Sequence, residues 1–573
     1  MHRHRIMISA AAVAAAVGFV PATAQAAGPA ADPGRGATAA SPAPGAGSAQ
    51  DADTQEAAGR KAAESAAAKD ATARGTRAKT ADAQSAPDGP GLSARAQSSH
   101  FDVGVGTYNT YAHSLILATT VNTDLEPAGR SVQYDVAWGD GTTDQDLGPA
   151  SDFAHFKHRY AKAGAHKITV TATDLLTKTT SVTTKDVVVD GSEFTPHAPA
   201  RLLDTRDGTG TSAGGPVAPL TTTRVKIAGN AGIPAGVTAV ALNITATNTS
   251  AAGHVIAYAS GKAQPTTSNV NFAAGQTVPN LAIVPVGEDG YVELANRSAG
   301  PVDLIADVTG YFTRSAADGY TSVKPSRLVD TREGLGSAKG QAAAQTTFGV
   351  QIAGQGGLPA QGVTAVALNV TVTDPQGAGN LTVFPSGQQA PSTSSVNFTA
   401  GQTVANAVIV PVGPDGRINV RNNAGDPTDV IVDVTGYYSA DGKAAYLPLE
   451  PQRLSDSRTP YPWPLAGQDY RNMLMGASGM ALEAVVLNTT VTNPQGSGHL
   501  SVAPDPNTIN DYMHGTAVRP TPPDSSVLNW TKDATVANLV QASTGTTSMV
   551  DVWNRGWQPT DLIVDLFGMY DKN

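Results

Sequence analysis

The chain has 573 residues, too many for one hydrophobic core, so several domains are expected. Its 59 Gly and 38 Pro, with only 15% charged and 5% aromatic residues, favour short strands and tight turns over long amphipathic helices. A net charge of −10 without a basic stripe argues against nucleic acid as a partner, because phosphate neutralisation requires clustered Lys and Arg.

The N-terminus has the pattern of a secretion signal. Basic residues at 2–5 precede an apolar run over 6–20, and small residues at Ala24 and Ala26 supply a cleavage site. The run is shorter than the roughly 20 apolar residues of a membrane helix. We therefore expect a signal peptide at 1–26 and no membrane span in the mature chain. The protein is expected to be secreted, and to be extracellular or associated with the cell wall.

The following segment, residues 27–99, has the composition of an arm. It consists of Ala, Gly, Pro, Ser, Thr and scattered charges, with almost no large apolar side chain. Such a segment cannot bury enough apolar area to offset the entropy lost on ordering the chain. We expect a disordered arm without stable tertiary contacts, in which residues 51–79 are helical only transiently.

Ordered structure is expected from about residue 100. Residues 132–138 alternate as a strand, a Gly-Asp-Gly-Thr turn follows at 139–142, and residues 167–174 form a second alternating strand. These residues resemble the PKD domain, with its WxFGDG-type turn and HxYxxxGxYxVxLxVxD-type ending, although His166 replaces the usual aromatic residue. The resemblance implies an immunoglobulin-like sandwich over 100–191, of a kind that serves as an accessory module in exported proteins.

Internal repetition is the strongest signal in the sequence. The motif RLLDTR at 201–206 returns as RLVDTR at 327–332 and, degraded, as RLSDSR at 453–458, and the starts are 126 residues apart. A period of this length far exceeds a solenoid repeat, so the copies are whole domains in tandem. We expect these domains at 194–314, 320–439 and 446–573, the last being the most diverged.

Within each copy the apolar residues recur with a period of two. Val240, Leu242 and Ile244 are large and apolar, whereas the intervening positions carry Ala and Asn. With Gly- and Pro-rich turns, this pattern predicts antiparallel β-sandwich or jelly-roll-like domains, and an all-β fold class for the chain. The copies resemble the LDTR-type repeats of exported actinobacterial surface proteins. That resemblance covers residues 194–570 and implies a surface protein without a settled activity.

The Asp and Arg residues repeated in the three copies indicate structural ion pairs more than a metal or catalytic site. Asp303 and Asp307 share one face of the last strand about 13 Å apart, too far to bind one metal or to form a glycosidase pair. The planar fork of an Arg suits a buried carboxylate. The predicted pairs therefore join an Arg of the opening motif to an Asp of the last strand: Arg201 or Arg206 with Asp307, and Arg327 or Arg332 with Asp433.

The sequence gives little support for catalysis. His254 and His499 occupy equivalent positions, but Asn380 stands there in the middle copy, so the copies share no histidine base or metal ligand. The patterns HExxH and GxxxxGK[ST] are missing from the chain. We therefore expect no enzymatic activity, no catalytic residues, no metal and no cofactor.

The distribution of tryptophan is more suggestive. Four of the five Trp lie in the last copy, and three of these, Trp463, Trp553 and Trp557, have no aromatic counterpart in the other copies. Aromatic rings in the loops of a β-sandwich provide flat apolar faces on which sugars stack. The alternative is that these rings pack a longer loop or touch the preceding copy. As candidate ligand-binding residues, the three are expected to be at least partly exposed.

Two functions remain open from the sequence. The first is a secreted or cell-surface adhesion or glycan-binding protein without catalytic activity, whose partner is a cell-wall or extracellular glycan or another surface protein. The second is a passive extracellular spacer or assembly subunit that makes protein–protein contacts. The two differ in whether the aromatic residues of the last copy offer their faces to solvent.

Overall fold

The computed structural model of the protein describes residues 57–74, 100–125, 130–211, 214–459, 462–476 and 480–573. The signal peptide expected at 1–26 and most of the arm expected at 27–99 lie outside these residues. The described chain is built almost entirely from antiparallel strands arranged in paired sheets. The all-β fold class predicted from the sequence is confirmed.

The first β domain is a sandwich of a three-stranded and a four-stranded sheet. Its strands are β1 (Phe101–Asn109), β2 (Ser114–Thr123), β3 (Ser131–Ala137), β4 (Thr143–Pro149), β5 (Ala154–Arg159), β6 (Ala165–Asp174) and β7 (Thr180–Val188). The sheets have the orders β1-β2-β5 and β4-β3-β6-β7. Tyr134, Trp138 and Tyr160 are fully buried between them, so the alternating strands identified in the sequence do face one core.

A helix, α1 (residues 57–74), packs on this sandwich and requires a correction to the expected arm. Ala63 and Ala67 are buried, and their backbone lies so close to β1 that a Cβ at Gly104 or Gly106 would overlap it. Glu64 also contacts His155 at 2.8 Å. Residues 57–74 therefore make stable tertiary contacts. Composition suggested otherwise because small residues bury little area, but they allow the two backbones to approach closely.

Each of the three repeat units contains eight strands. Those of the first unit are β8 (Glu193–Asp204), β9 (Thr222–Lys226), β10 (Val237–Thr247), β11 (Gly253–Ala259), β12 (Val270–Phe272), β13 (Val278–Pro285), β14 (Tyr291–Asn296) and β15 (Asp303–Thr313). Those of the second are β16 (Gly319–Asp330), β17 (Thr347–Gln351), β18 (Val363–Thr373), β19 (Gly379–Pro385), β20 (Val396–Phe398), β21 (Val404–Pro411), β22 (Arg417–Asn422) and β23 (Asp429–Ser439). The third has β24 (Ala445–Asp456), β25 (Tyr470–Leu474), β26 (Leu482–Thr492), β27 (Gly498–Pro504), β28 (Leu528–Trp530), β29 (Val536–Ser543), β30 (Met549–Asn554) and β31 (Asp561–Asp571), with a short helix α2 (Ile509–His514).

The strands of each unit form an inner and an outer four-stranded sheet. In the first unit the inner sheet has the order β13-β10-β15-β8 and the outer sheet the order β12-β11-β14-β9, and both orders recur in the other units. Eight antiparallel strands connected in this way form a jelly roll. Leu242 and Ile244 of the inner sheet pack against Val255 and Val292 of the outer sheet. The large apolar residues that alternate along the strands in the sequence thus form the core of each unit.

The three inner sheets also pack against one another, around a common axis. Residues from all three units share one buried cluster, which includes Ala239, Ala241 and seven aromatic residues. Six of these rings pair in a closed cycle, and in each pair the opening aromatic of one unit meets the closing aromatic of another. The centroids are 4.1 Å apart for Phe194 and Tyr438, 4.3 Å for Tyr320 and Tyr570, and 4.6 Å for Tyr446 and Phe312.

Buried asparagines close the same cycle with hydrogen bonds. The side-chain amide of Asn406 donates to Asn243 of the first unit, and its oxygen accepts from the backbone N–H of Leu281. The equivalent contacts run from the first unit to the third and from the third to the second: Asn280 with Asn488 and Leu539, and Asn538 with Asn369 and Ala407. The repeats are therefore a single three-part body, because each unit hydrogen-bonds to both of the others.

The first β domain caps one end of this body, called here the base. The linkers between units meet there through backbone bridges between Phe194 and Asp318 and between Tyr320 and Ala444. Lys162 of the first domain donates to carbonyls in both of these linkers, those of Ala317 and Gly442. The backbone N–H of Ala112 donates to the buried carboxylate of Asp571 near the C-terminus.

Closure of the inner sheets predicts that two units cannot stand alone. In a chain ending at Ser439 the inner sheets of the first and second units lose the third, and buried residues such as Ile283 and Ile409 become exposed. A large exposed apolar patch favours self-association. We expect this truncated chain to aggregate or oligomerise in analytical ultracentrifugation, while the full chain is monomeric. A monomeric truncated chain with a cooperative thermal transition would show that the units are independent.

Candidate functional site at the far end of the third unit

The first arginine of each opening motif donates hydrogen bonds to a buried aspartate of the last strand. Arg201 donates through Nε to Asp307 at 2.9 Å and through Nη2 at 3.3 Å, and Arg327 makes the same pair of bonds to Asp433 at 3.0 and 3.4 Å. Asp307 and Asp433 are the expected carboxylates, and of the two candidate arginines in each motif the first one binds them. The third unit has the equivalent pair of Arg453 and Asp565.

The second arginine of the motif has a different partner. Arg206 and Arg332 each donate to the Asp of their own motif, at 2.7 Å from Nη2, and are almost half exposed. Burial raises the pKa of Asp433 above its ordinary value, whereas the Arg327 guanidinium opposes that rise. Arg327 also donates to the carbonyl of Asp524 in the third unit. The first Arg of the motif is therefore structural, and in the second unit it also contacts the neighbouring unit.

The two arginines of one motif provide a matched stability test. Arg327→Met leaves Asp433 buried without its cation, so we expect the full chain to lose about 3–5 kcal/mol of unfolding free energy. Arg332→Met removes an arginine that is almost half exposed, and Asp330 keeps its bond from Arg327 Nη1, so this change should cost less. Chemical denaturation of the two variants checks this difference. Equal losses of unfolding free energy would mean that the first arginine of the motif contributes no more than the second.

The three candidate tryptophans do not share one environment. Trp557 is 83% exposed and Trp463 is 40% exposed, whereas Trp553 is only 2% exposed. The expectation of an exposed ring is therefore wrong for Trp553. That indole stacks on Tyr470, with centroids 4.5 Å apart, and the Arg519 guanidinium lies 5.4 Å from its ring centre.

A long connection in the third unit explains why Trp553 is buried. Between β27 and β28 the chain runs from Asp505 to Val527, whereas the same connection in the first unit runs only from Ser260 to Asn269. We call residues 505–527 the insert. Its residues Tyr512 and Arg519 lie beside Tyr470, over the outward face of the outer sheet. The alternative left open by the sequence, that these rings pack a longer loop, therefore applies to Trp553.

Trp463 and Trp557 lie on adjacent loops. The loop after the opening motif pairs with the segment before β31 through the bridge between Leu465 and Thr560, and Gly467 lies against the backbone of Trp557. The Arg471 guanidinium lies 4.5 Å from the centre of the Trp463 ring and donates to that residue's carbonyl. Trp463 is therefore held by a buried cation on one side while part of its ring remains exposed.

These loops occupy the end of the body opposite the base, called here the far end. Trp557 precedes β31, which begins at Asp561, and that strand ends at Asp571 against the first domain. An extended strand rises about 3.3 Å per residue, so its two ends are about 30 Å apart. The exposed indoles are consequently directed to the side of the molecule remote from the first domain.

The other two units have no aromatic residue at either position. The backbone N–H of Trp463 donates to the carbonyl of Ser457, and the same bond in the other units starts from Gly215 and Gly340. Trp557 matches Ala299 and Gly425. Glycine or alanine at these positions leaves the described far ends of the first and second units without an exposed aromatic ring.

The equivalent histidines are placed for packing between units. Burial and the nearby Arg555 lower the pKa of His499 to about 4, and burial with Arg297 lowers that of His254. Arg327 and Arg453 of neighbouring units add to these effects. Among the described residues no group of three or more His, Asp or Glu side chains converges as a metal site. In the same part of the chain, no helix has the length and hydropathy to cross a bilayer.

Comparison with known proteins gives no family. No family model and no curated protein matches the chain. A SusE-like protein of solved structure is 13% identical, over 36% of this chain and 96% of that one, with a TM-score of 0.12. Two structures titled as an archaeal virus triple jelly roll and turret assembly and as Sulfolobus turreted icosahedral virus are each 9% identical. They cover 66% and 67% of this chain and 90% of their own, with TM-scores of 0.14. Likenesses of this size carry no argument about fold or function.

Proposed function

We propose that this protein is a non-catalytic surface protein that binds an extracellular glycan through the far end of its third unit. The observation that carries the proposal is the exposure of Trp557, an 83% exposed indole on a turn between two well-packed strands. Contiguous exposed apolar surface in ordered loops marks binding sites, and exposed Trp463 lies on the loop adjacent to that of Trp557. An indole has the flat apolar face and polar edge that a sugar ring requires.

The second ring supports a stacking surface. Trp463 is braced by Arg471, which is itself 5% exposed, so the orientation of its ring is fixed before any ligand arrives. A preorganised aromatic surface loses little side-chain entropy on binding. Because only the third unit carries these rings, we propose one binding site per chain.

The remaining units then act as a scaffold. Cyclic contacts of the inner sheets fix the third unit relative to the first domain, so the far end is held at a set distance from the base. The competing function, a passive spacer or assembly subunit, uses the same rigid body but needs no exposed ring. A partner protein could also cover Trp557, and the binding experiment separates these two outcomes.

The test is glycan binding by the full chain and its tryptophan variants. Stacking of a base on one aromatic ring is worth about 1–3 kcal/mol, and on that scale Trp557→Ala should weaken glycan binding about 5- to 150-fold. The thermal midpoint should be nearly unchanged, because the ring is exposed. Binding would be measured on a glycan array and on cell-wall polysaccharide.

Two controls accompany this measurement. Leu220→Ala removes another exposed apolar side chain, 64% exposed, in the first unit and should leave binding unchanged. Trp553→Ala should lower the thermal midpoint, because that ring is buried. Absence of glycan binding by the unaltered chain, or equal binding by Trp557→Ala, would favour the spacer or assembly function.

A further inference from the structure

Two carboxylates are buried beneath the insert of the third unit. Asp551 lies on β30, and its residue is 1% exposed; Asp505 begins the insert directly after β27 and is 2% exposed. Asp551 alternates with Val550 and Val552, which belong to the core of the unit, so its side chain is on the outward face of the outer sheet. The insert covers that face and encloses both acids.

The two carboxyl groups differ in the hydrogen bonds that they receive. Asp505 accepts hydrogen bonds from the backbone N–H and the side-chain amide of Asn507, at 2.7 and 2.8 Å, and from the Tyr512 hydroxyl. Both carboxylate oxygens of Asp551 are buried and receive no hydrogen bond from an N–H, a hydroxyl or a cation, and their polar neighbour is the Asp505 carboxyl group. Burial, and after it the adjacent Asp505, raise the pKa of Asp551 to about 9. A buried carboxylate without a donor or a cation is costly.

No basic side chain among the described residues neutralises this pair. Arg519 is the basic residue of the insert, but it donates to the Asp469 carboxylate and to the Gln468 carbonyl. Arg471, on the neighbouring strand β25, donates instead to the carbonyl of Trp463. Neither guanidinium reaches Asp505 or Asp551, so no cationic side chain among the described residues faces the two carboxyl groups.

The same place in the first unit is built differently. There Glu293 replaces Asp551, and it accepts from the hydroxyls of Tyr258 and Ser260. Strand register places Arg224 opposite Glu293, and Asn472 opposite Asp551. Ser260 follows β11 in the position that Asp505 takes after β27. In the third unit Asn472 thus stands where the first unit has Arg224, and Asp505 stands where it has Ser260. The first change removes a positive charge and the second adds a carboxylate, so both favour a bound positive ion.

We propose that Asp505 and Asp551 bind one divalent cation of the calcium class beneath the insert. Carboxylate and amide oxygens are hard ligands, and Asn472, which is 6% exposed and opposite Asp551, can add a further oxygen. Calcium accepts such mixed, irregular oxygen sets, whereas magnesium demands near-ideal octahedral geometry and keeps most of its water. An enclosed site therefore suits calcium better than magnesium.

The cation would hold the insert on the outer sheet. Asp505 lies at one end of the insert, and Arg519, further along it, is bonded to residues 468 and 469. Those residues adjoin Gly467, which lies against the Trp557 backbone. Binding at Asp551 is therefore connected to the order of the far end, although the cation site itself does not depend on glycan binding.

The test is calorimetric titration of the chelator-treated full chain with calcium chloride. We expect one calcium ion per chain and a higher thermal midpoint, with weaker binding of magnesium. Loss of outer-shell partners alone weakens metal binding about 10- to 100-fold, so Asp551→Asn, which removes a direct ligand, should weaken calcium binding about 100-fold or more. Its isosteric amide also relieves the buried charge, so this variant is expected to fold.

A matched variant and an alternative outcome make the test decisive. Glu293→Gln alters the equivalent position of the first unit and should leave calcium binding unchanged. If the unaltered chain binds no calcium, or if Asp551→Asn binds it equally well, the proposal is wrong. A thermal midpoint that falls with rising pH in the unaltered chain but not in Asp551→Asn, without calcium binding, would show instead that the two acids share a proton.

Discussion

Closure of three inner sheets around one axis is the constraint on which the rest of the molecule depends. Each inner sheet is covered on one face by its own outer sheet and on the other by the two neighbouring inner sheets. Small side chains such as Ala239 and Ala241 permit this approach, and the aromatic pairs fill the space nearest the base. A sheet buried on both faces cannot be solvated alone, so the three units form one body.

The packing of the inner sheets also explains which features recur in all three units and which differ. Asn280, Asn406 and Asn538 repeat the same bonds because each must satisfy a backbone group of its neighbour in a buried place. One deviation in the central cluster is Gln541, which donates to the hydroxyls of Tyr438 and Tyr570. The outer sheet and the far end are free of the closure requirement, and it is there that the third unit carries its insert and its exposed rings.

Much of the fold could be predicted from the sequence, and less of the candidate site. Alternation in Val240, Leu242 and Ile244 indicated the core of a β-sandwich or jelly roll, and the repeated motif indicated that one of its two arginines would meet Asp307. The intervening Ala and Asn positions, to which the sequence assigned no contact, form the contact between units. Trp553 was predicted to be exposed because its counterparts are not aromatic. It is buried by an insert whose direction no local pattern encodes.

The sequence by itself determined the β architecture, the three copies and their internal charge pairs, because these depend on period, spacing and residue type within one unit. The tertiary structure decided that the copies close into one body, that α1 docks on the first domain through alanine and glycine, and that Asp505 meets Asp551. Each of these requires segments distant in the chain to approach one another. Such approaches depend on the complementarity of assembled surfaces, which the order of residues along one strand does not express.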